Sequence, residues 1–462
     1  MVSSDNNKPL YKRLVVLCDG TWLDSLTQTT VHPSNVARLS RAISTLDTRN
    51  DNNVQQVVFY QEGVGSTGIL LVDKVLGGAF GTGILYQMRQ AYAFIALNHS
   101  KGDEVFFIGF SRGAYMVRAL CGFMMDFGLL TKDGMSNFDV CFDAYMRGGL
   151  RVEHVPGSYD LIAEKQKLHK EKQLKLPEDV TVQAIGCFDT VGALGPLPSH
   201  YAFLDQKLSP LVKHAFHALS LDETRRLFKS TLWFFPKDGN HPPDKFKQVW
   251  FNGMHLNVGG GDMNHVVNGT NLLDPANGNP NVLSDGPLIW MATQLQLLLK
   301  IDWDYLKQTI LPGNSEGDQT LRIAAKIELT NKLAYYRGPF VDNYAGLIGI
   351  LYRILGKKSR CYNSYMPEIR IRQQNIGEDQ ATVTNEFVHE SVSRRFLISK
   401  IKNPPLQEYS LVLPSLENTE NETVQSVQSQ VDGKSVDVAL FEGCELEFWS
   451  GLGVNLRWKP SQ

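Results

Sequence analysis

Charge of one sign is missing from this chain: 46 Lys and Arg stand against 48 Asp and Glu, a formal net charge of −2 over 462 residues. A balance so close to neutral gives no electrostatic case for nucleic acid as a partner, since phosphate backbones call for a basic face. Cysteine is sparse. The six present (Cys18, Cys121, Cys141, Cys187, Cys361 and Cys444) are scattered and form no Cys-x-x-Cys pair, which removes zinc-ribbon and thioredoxin-like readings. No metal and no other cofactor is expected. Long hydrophobic runs are absent too: none reaches the roughly 18–20 apolar residues of a bilayer span. Met1 to Lys8 is polar and has no apolar signal-peptide core. The expectation is a reduced, cytoplasmic protein. With 43% hydrophobic and 20% charged residues, the chain has an ordinary globular composition and is long enough to bury a large core unaided.

What is present is an alternation of short apolar runs with helical patterns. Leu14 to Leu17, Val54 to Tyr60, Glu104 to Gly109, Val180 to Phe188 and Phe246 to Phe251 read as strands. Ile84 to His99 and residues 112–125 carry helical periodicity. Apolar strands separated by helices predict a mainly parallel sheet with helices on both faces. Three stretches interrupt the pattern. Residues 132–178 include a charged tract read as an exposed helix or insertion loop, and 262–286 read as a long Asn/Gly/Asp/Pro loop. Residues 414–435 are rich in Ser, Glu, Gln and Asn and read as a flexible excursion. The division expected is a catalytic domain over 10–400 with insertions near 132–178 and 262–286, and an extension over 401–462 packed on the same domain. Within that extension, Val436 to Trp458 reads as a late hairpin or sheet addition.

The strand-like runs end near Asp19, Gly63, Ser111, Asp189 and His255, and open α/β sheets gather their chemistry at the carboxyl ends of strands. Gly109-Phe-Ser111-Arg-Gly113 has the G-x-S-x-G form, set between a strand and a helix. That context turns the chain sharply and projects the serine oxygen. A serine hydroxyl needs a base to become a nucleophile. His255, in Met254-His-Leu-Asn-Val-Gly-Gly-Gly261, follows a strand and fits the order Ser, acid, His. His389 and the pair His214/His217 read as structural or surface groups. Asp189, at the end of its strand, fits the acid that orients the imidazole; Asp222 competes with it, as do Asp262 and Asp285 if the chain order is relaxed. The oxyanion hole is expected from the N–H of Arg112 and the loop Gly20-Thr21, with Asp19 shaping that loop. The Gly-rich stretch 77–83 lacks the Lys-Ser/Thr of a phosphate loop. Residues 344–358 form an apolar tract ending in Lys357-Lys358. It reads first as a buried helix, and otherwise as a peripheral membrane contact or acyl-pocket wall.

These residues resemble a known group. Val16-Leu-Cys-Asp-Gly-Thr-Trp22, Gly109-Phe-Ser-Arg-Gly-Ala-Tyr115, Phe188-Asp-Thr-Val-Gly-Ala-Leu194 and His255-Leu-Asn-Val-Gly-Gly-Gly261 look like the α/β-hydrolase family DUF2235. That family is related to type VI secretion phospholipase effectors, and this chain resembles its stand-alone members. The resemblance implies an α/β-hydrolase fold, Ser111 as nucleophile, His255 as base and Asp189 as acid. For the bacterial effectors it implies phospholipase A activity. Two positions depart from the family pattern: Asn257 stands where Asp is usual, and Phe188 where Trp is common.

The leading expectation is therefore a serine hydrolase that cleaves an acyl ester or lipid through an acyl-Ser111 intermediate. A hydrolase or acyltransferase for a small metabolite is a second reading. A catalytically impaired binding scaffold is a third, resting on Asn257.

Overall fold

A computed structural model describes residues 11–20, 33–49, 53–63, 79–148, 159–192, 208–209, 211–236, 245–261, 282–310, 360, 382–383, 386–389, 392 and 438–439. The strands are β1 (Lys12–Cys18), β2 (Leu46–Asp47), β3 (Val54–Gln61), β4 (Glu104–Phe110), β5 (Leu129–Leu130), β6 (Leu174–Lys175), β7 (Thr181–Phe188), β8 (Val212–Ser220), β9 (Phe235–Pro236), β10 (Lys245–Phe251), β11 (Thr382–Val383), β12 (Glu386–His389) and β13 (Val438–Ala439). The helices are α1 (Asn35–Ala42), α2 (Ala79–Asn98), α3 (Arg112–Asp126), α4 (Phe138–Gly148), α5 (Leu161–Lys170), α6 (His255–Gly259), α7 (Val282–Leu295) and α8 (Trp303–Ile310).

Among the described residues nine strands form one sheet in the order β13-β12-β10-β8-β7-β4-β1-β3-β2. All its pairings are parallel except that of β2 with β3. The expected α/β architecture is thus the observed one, and its central strands are apolar throughout because both faces are covered. Alternate residues divide between two cores. Leu14, Val16, Val105, Phe107, Val182 and Ile185 face α2, α3, α4 and α5. Val15, Leu17, Phe106, Ile108, Ala184 and Phe188 face α1, α7 and α8. The strand order reverses between β1 and β4, whose neighbours continue in opposite directions, and such a reversal opens a crevice at the strands' carboxyl ends.

Several expectations are refined. The charged 132–178 stretch holds α4 and α5, and it is anchored rather than looped out: Phe138, Cys141, Phe142, Leu161 and Leu168 are buried in the core. The presumed loop 262–286 ends earlier, since α7 begins at Val282. Its Leu283, Leu288 and Ile289 are buried, and that burial offsets Gly286 and Pro287, which made the segment look like a loop. Residues 262–281, the apolar tract 344–358 and the excursion 414–435 lie outside the described residues. From the Gly-rich stretch, 79–83 form the start of α2. Within Val436 to Trp458, β13 is a parallel sheet addition beside β12.

Candidate active site

The elbow at Ser111 forms because β4 and α3 meet with no loop between them. Ser111 takes φ 56 and ψ −119, a conformation side chains rarely adopt. Its N–H donates to the Phe188 carbonyl at 3.0 Å, and the Tyr115 N–H returns to its carbonyl at 3.2 Å. Gly113 is required by proximity: a Cβ there would collide with the carbonyl oxygens of Cys18 and Asp19. The elbow is therefore pressed against the end of β1, at the crevice.

Asp189 also has positive φ, 39°, just past β7. Its N–H donates to the Ala218 carbonyl at 2.7 Å, which ties the turn to β8. His255 is the first residue of α6, after β10, and its N–H donates to Glu223 Oε2 at 3.2 Å. Asp222 accepts the Gly253 N–H at 2.7 Å and so shapes the turn ahead of the histidine.

These three chain ends converge. His255 Nε2 lies 2.8 Å from Ser111 Oγ, and His255 Nδ1 lies 2.6 Å from Asp189 Oδ2. An ionised carboxylate only accepts, so Nδ1 carries the proton and Nε2 of the neutral ring is left to accept the serine hydroxyl. The rings of Phe110 and Phe228 pack on the imidazole with centroids at 4.7 and 5.0 Å. Asp189 is fully buried, whereas Ser111 retains 7% exposure, so the opening is on the serine side.

Burial alone would raise the Asp189 pKa. The positive charge of Arg360 first, then His255, outweighs it and holds the carboxyl far below its ordinary value. For His255, burial is the larger influence and lowers its pKa, against the pull of Asp189. His217 lies behind the site. Its Nε2 accepts the Thr190 N–H at 3.1 Å, so the neutral ring presents Nδ1–H to Gln248 Oε1 at 3.2 Å. Burial, then the Arg118 charge, lower its pKa to about 3, which makes it a buttress for the Asp189 turn.

The competing carboxylates are engaged elsewhere. Asp222 serves the Gly253 turn, Asp285 pairs with Arg38 at 2.7 Å, and Asp262 lies outside the described residues. Asn257 accepts the Met254 N–H at 2.9 Å and so caps α6. Of the expected oxyanion groups, Arg112 opens α3 directly after Ser111, where first-turn N–H groups lack intrahelical acceptors. Gly20 is buried and donates its N–H to Asp19 Oδ1 at 2.7 Å; Thr21 lies outside the described residues. Asp19 shapes this loop as expected, accepting also from Ser34 Oγ and, at 2.7 Å, from Tyr60 OH. Among the described residues no cluster of His, Cys, Asp or Glu is arranged to hold a metal ion.

Sequence reasoning missed Ser220, Ser230 and Arg360, all of which donate to Asp189. No local signal marks them. Arg360 is 171 residues away, just past the apolar tract 344–358.

Comparison with known proteins adds a family. A solved structure of an uncharacterized protein from Pseudomonas aeruginosa is 15% identical, with a TM-score of 0.37, covering 80% of this chain and 62% of that one. The structure of the Tle1 effector bound to the VgrG spike of the type 6 secretion system is 18% identical, with a TM-score of 0.31, over 55% of this chain and 51% of that one. An uncharacterized protein of Saccharomyces cerevisiae, YEL023C, is 28% identical over 200 residues, 40% of this chain. The matched region spans 28% of that yeast protein's length. The family model of the T6SS phospholipase effector Tle1-like catalytic domain matches residues 12–294, more than half of the chain and all three converging side chains. The chain belongs to the Tle1-like catalytic domain family.

Proposed function

We propose that this protein is a serine hydrolase that cleaves carboxylic esters, with lipid acyl esters as the substrate class. The observation that carries the reading is the continuous relay from Ser111 Oγ through both nitrogens of His255 to Asp189, at 2.8 and 2.6 Å. As the serine oxygen attacks the ester carbonyl, His255 Nε2 takes its proton while Asp189 stabilises the imidazolium. The Arg112 N–H and, from the Gly20–Thr21 loop, the Thr21 N–H are the proposed donors to the oxyanion, because the Gly20 N–H is already given to Asp19 Oδ1. Collapse of the tetrahedral intermediate expels the alcohol, which receives the proton from Nε2 and leaves acyl-Ser111. Water, deprotonated by the same nitrogen, then releases the carboxylic acid and restores the serine.

Family membership supports a lipid ester over other acyl compounds, because the matching family is described as one of phospholipase effectors. The impaired-scaffold alternative draws on Asn257, whose side chain caps α6 and does not vacate the acid's position. A fluorophosphonate probe tests the chemistry: the wild type should label and Ser111→Ala should not, and equal labelling would sink the proposal. Release of fatty acid from phosphatidylcholine vesicles, compared with short-chain p-nitrophenyl esters, tests the substrate class. Hydrolysis of the short esters alone would favour a small-molecule esterase.

A further inference from the structure

The carboxylate of Asp189 has more partners than orienting one histidine requires. Oδ1 accepts from the Ser220 N–H at 3.1 Å, Ser230 Oγ at 2.9 Å and Arg360 Nη1 at 2.6 Å. Oδ2 accepts from Ser220 Oγ at 2.9 Å, His255 Nδ1 at 2.6 Å and Arg360 Nη2 at 3.0 Å. The guanidinium grips both oxygens, in the fork geometry specific to arginine. The same group is fixed by the carbonyls of Ser220, at 2.6 Å, and Phe228. Arg360 is 3% exposed, so the pair is screened little by solvent.

We propose that Arg360 is a positioning residue of the triad: its two-pronged ion pair locks the Asp189 carboxylate onto His255 and shares the negative charge that the imidazole feels. The inference rests on the triad reading above. It has two separable components. Geometry comes from the fork, which holds both carboxylate oxygens at once. Charge comes from the guanidinium, which opposes protonation of His255 by partly neutralising its counterion. Among the described residues, the other charged groups that act on His255 are Glu223, which accepts its backbone N–H, and Arg225, paired with Glu223 at 2.9 Å. They offset one another. His217 is neutral behind Thr190, and Ser111, Phe110 and Phe228 carry no charge. Among the described residues, Arg360 is thus the arginine or lysine in direct contact with Asp189.

The test uses the full-length chain with Arg360→Met and Arg360→Lys, each checked for fold by circular dichroism. Arg360→Met should lower kcat/KM on a p-nitrophenyl ester about 100-fold, mainly in kcat, as expected of a misplaced catalytic group. It should also move the acid limb of the pH profile upward by about one unit, because the imidazolium gains an unshared counterion. Arg360→Lys keeps the charge but not the fork, so kcat should fall while the acid limb stays. Wild-type kcat and acid limb in folded Arg360→Met would overturn the proposal. If Arg360→Met does not fold, unchanged kcat in Arg360→Lys would do the same. NMR titration of the His255 ring in Ser111→Ala, with and without the Arg360 change, reads the charge effect without turnover. A shift there with no fluorophosphonate labelling of wild type would keep the inference and reject the hydrolase. Labelling with no shift would do the reverse.

Discussion

The side-chain oxygen of Asn257 accepts the Met254 N–H at 2.9 Å, while the ring of His255, two residues earlier, reaches across to Asp189. Position 257 therefore serves the first turn of α6, as the third residue of a capping box does. An aspartate there would present the same acceptor. Asn257→Ala should lower stability by about 1 kcal/mol, the usual worth of a cap, read from chemical denaturation. Asn257→Asp should leave kcat/KM unchanged, and a tenfold gain would relocate the acid.

Asp189 and Ser111 should separate stability from catalysis. Ser111→Ala removes the proposed nucleophile and leaves the Asp189–Arg360 pair intact, so the melting temperature should hold, since alanine keeps the Cβ and with it the strain at φ 56. Asp189→Ala strands the buried Arg360 cation, which should cost about 3–5 kcal/mol as well as activity. Equal melting temperatures for the two variants would contradict the ion pair.

The pH dependence follows from His255. Its neutral form is the proposed base, and burial, ahead of the opposing Asp189, holds its pKa below the ordinary histidine value. The base therefore survives to lower pH than usual. kcat/KM should fall only as pH drops through that lowered pKa, with its acid midpoint below about 6.5. A midpoint at or above that value would mean that the Asp189 charge dominates burial.

Gly259 supplies a test through packing alone. A Cβ there would strike the Phe110 ring, and that ring leans on the His255 imidazole at 4.7 Å. Gly259→Ala should destabilise by about 1–3 kcal/mol, as overpacking does, and slow fluorophosphonate labelling by displacing the base. Labelling at the wild-type rate would show that the ring can yield without moving His255.

The core of this arrangement was legible because its signals are local. β4, the elbow and α3 are contiguous, and the apolar runs that became β1, β7 and β10 needed only burial on both faces to be strands. β8 was not legible: His214 and His217 interrupt Val212–Ser220, and only the structure reveals that His217 is buried between Thr190 and Gln248. Asp189 could be named from its strand end and preferred over Asp285 by chain order, but nothing local set aside Asp222, which the structure shows bound to the Gly253 turn. A partner 171 residues away leaves no mark in spacing or periodicity.

The strand that delivers His255 is interior to the sheet only because of chain far downstream. β10 is flanked on its outer side by β12, whose Glu386 accepts from Trp250 Nε1 at 2.9 Å, and β12 in turn by β13. The matched family region stops at residue 294, short of both. A fragment cut there for expression would leave β10 as an open edge, with its backbone hydrogen bonds unclaimed and Trp250 stripped of its acceptor. Such an edge recruits other chains. For work at the bench, the boundary of the recognisable family region and the boundary of a well-behaved polypeptide are different places.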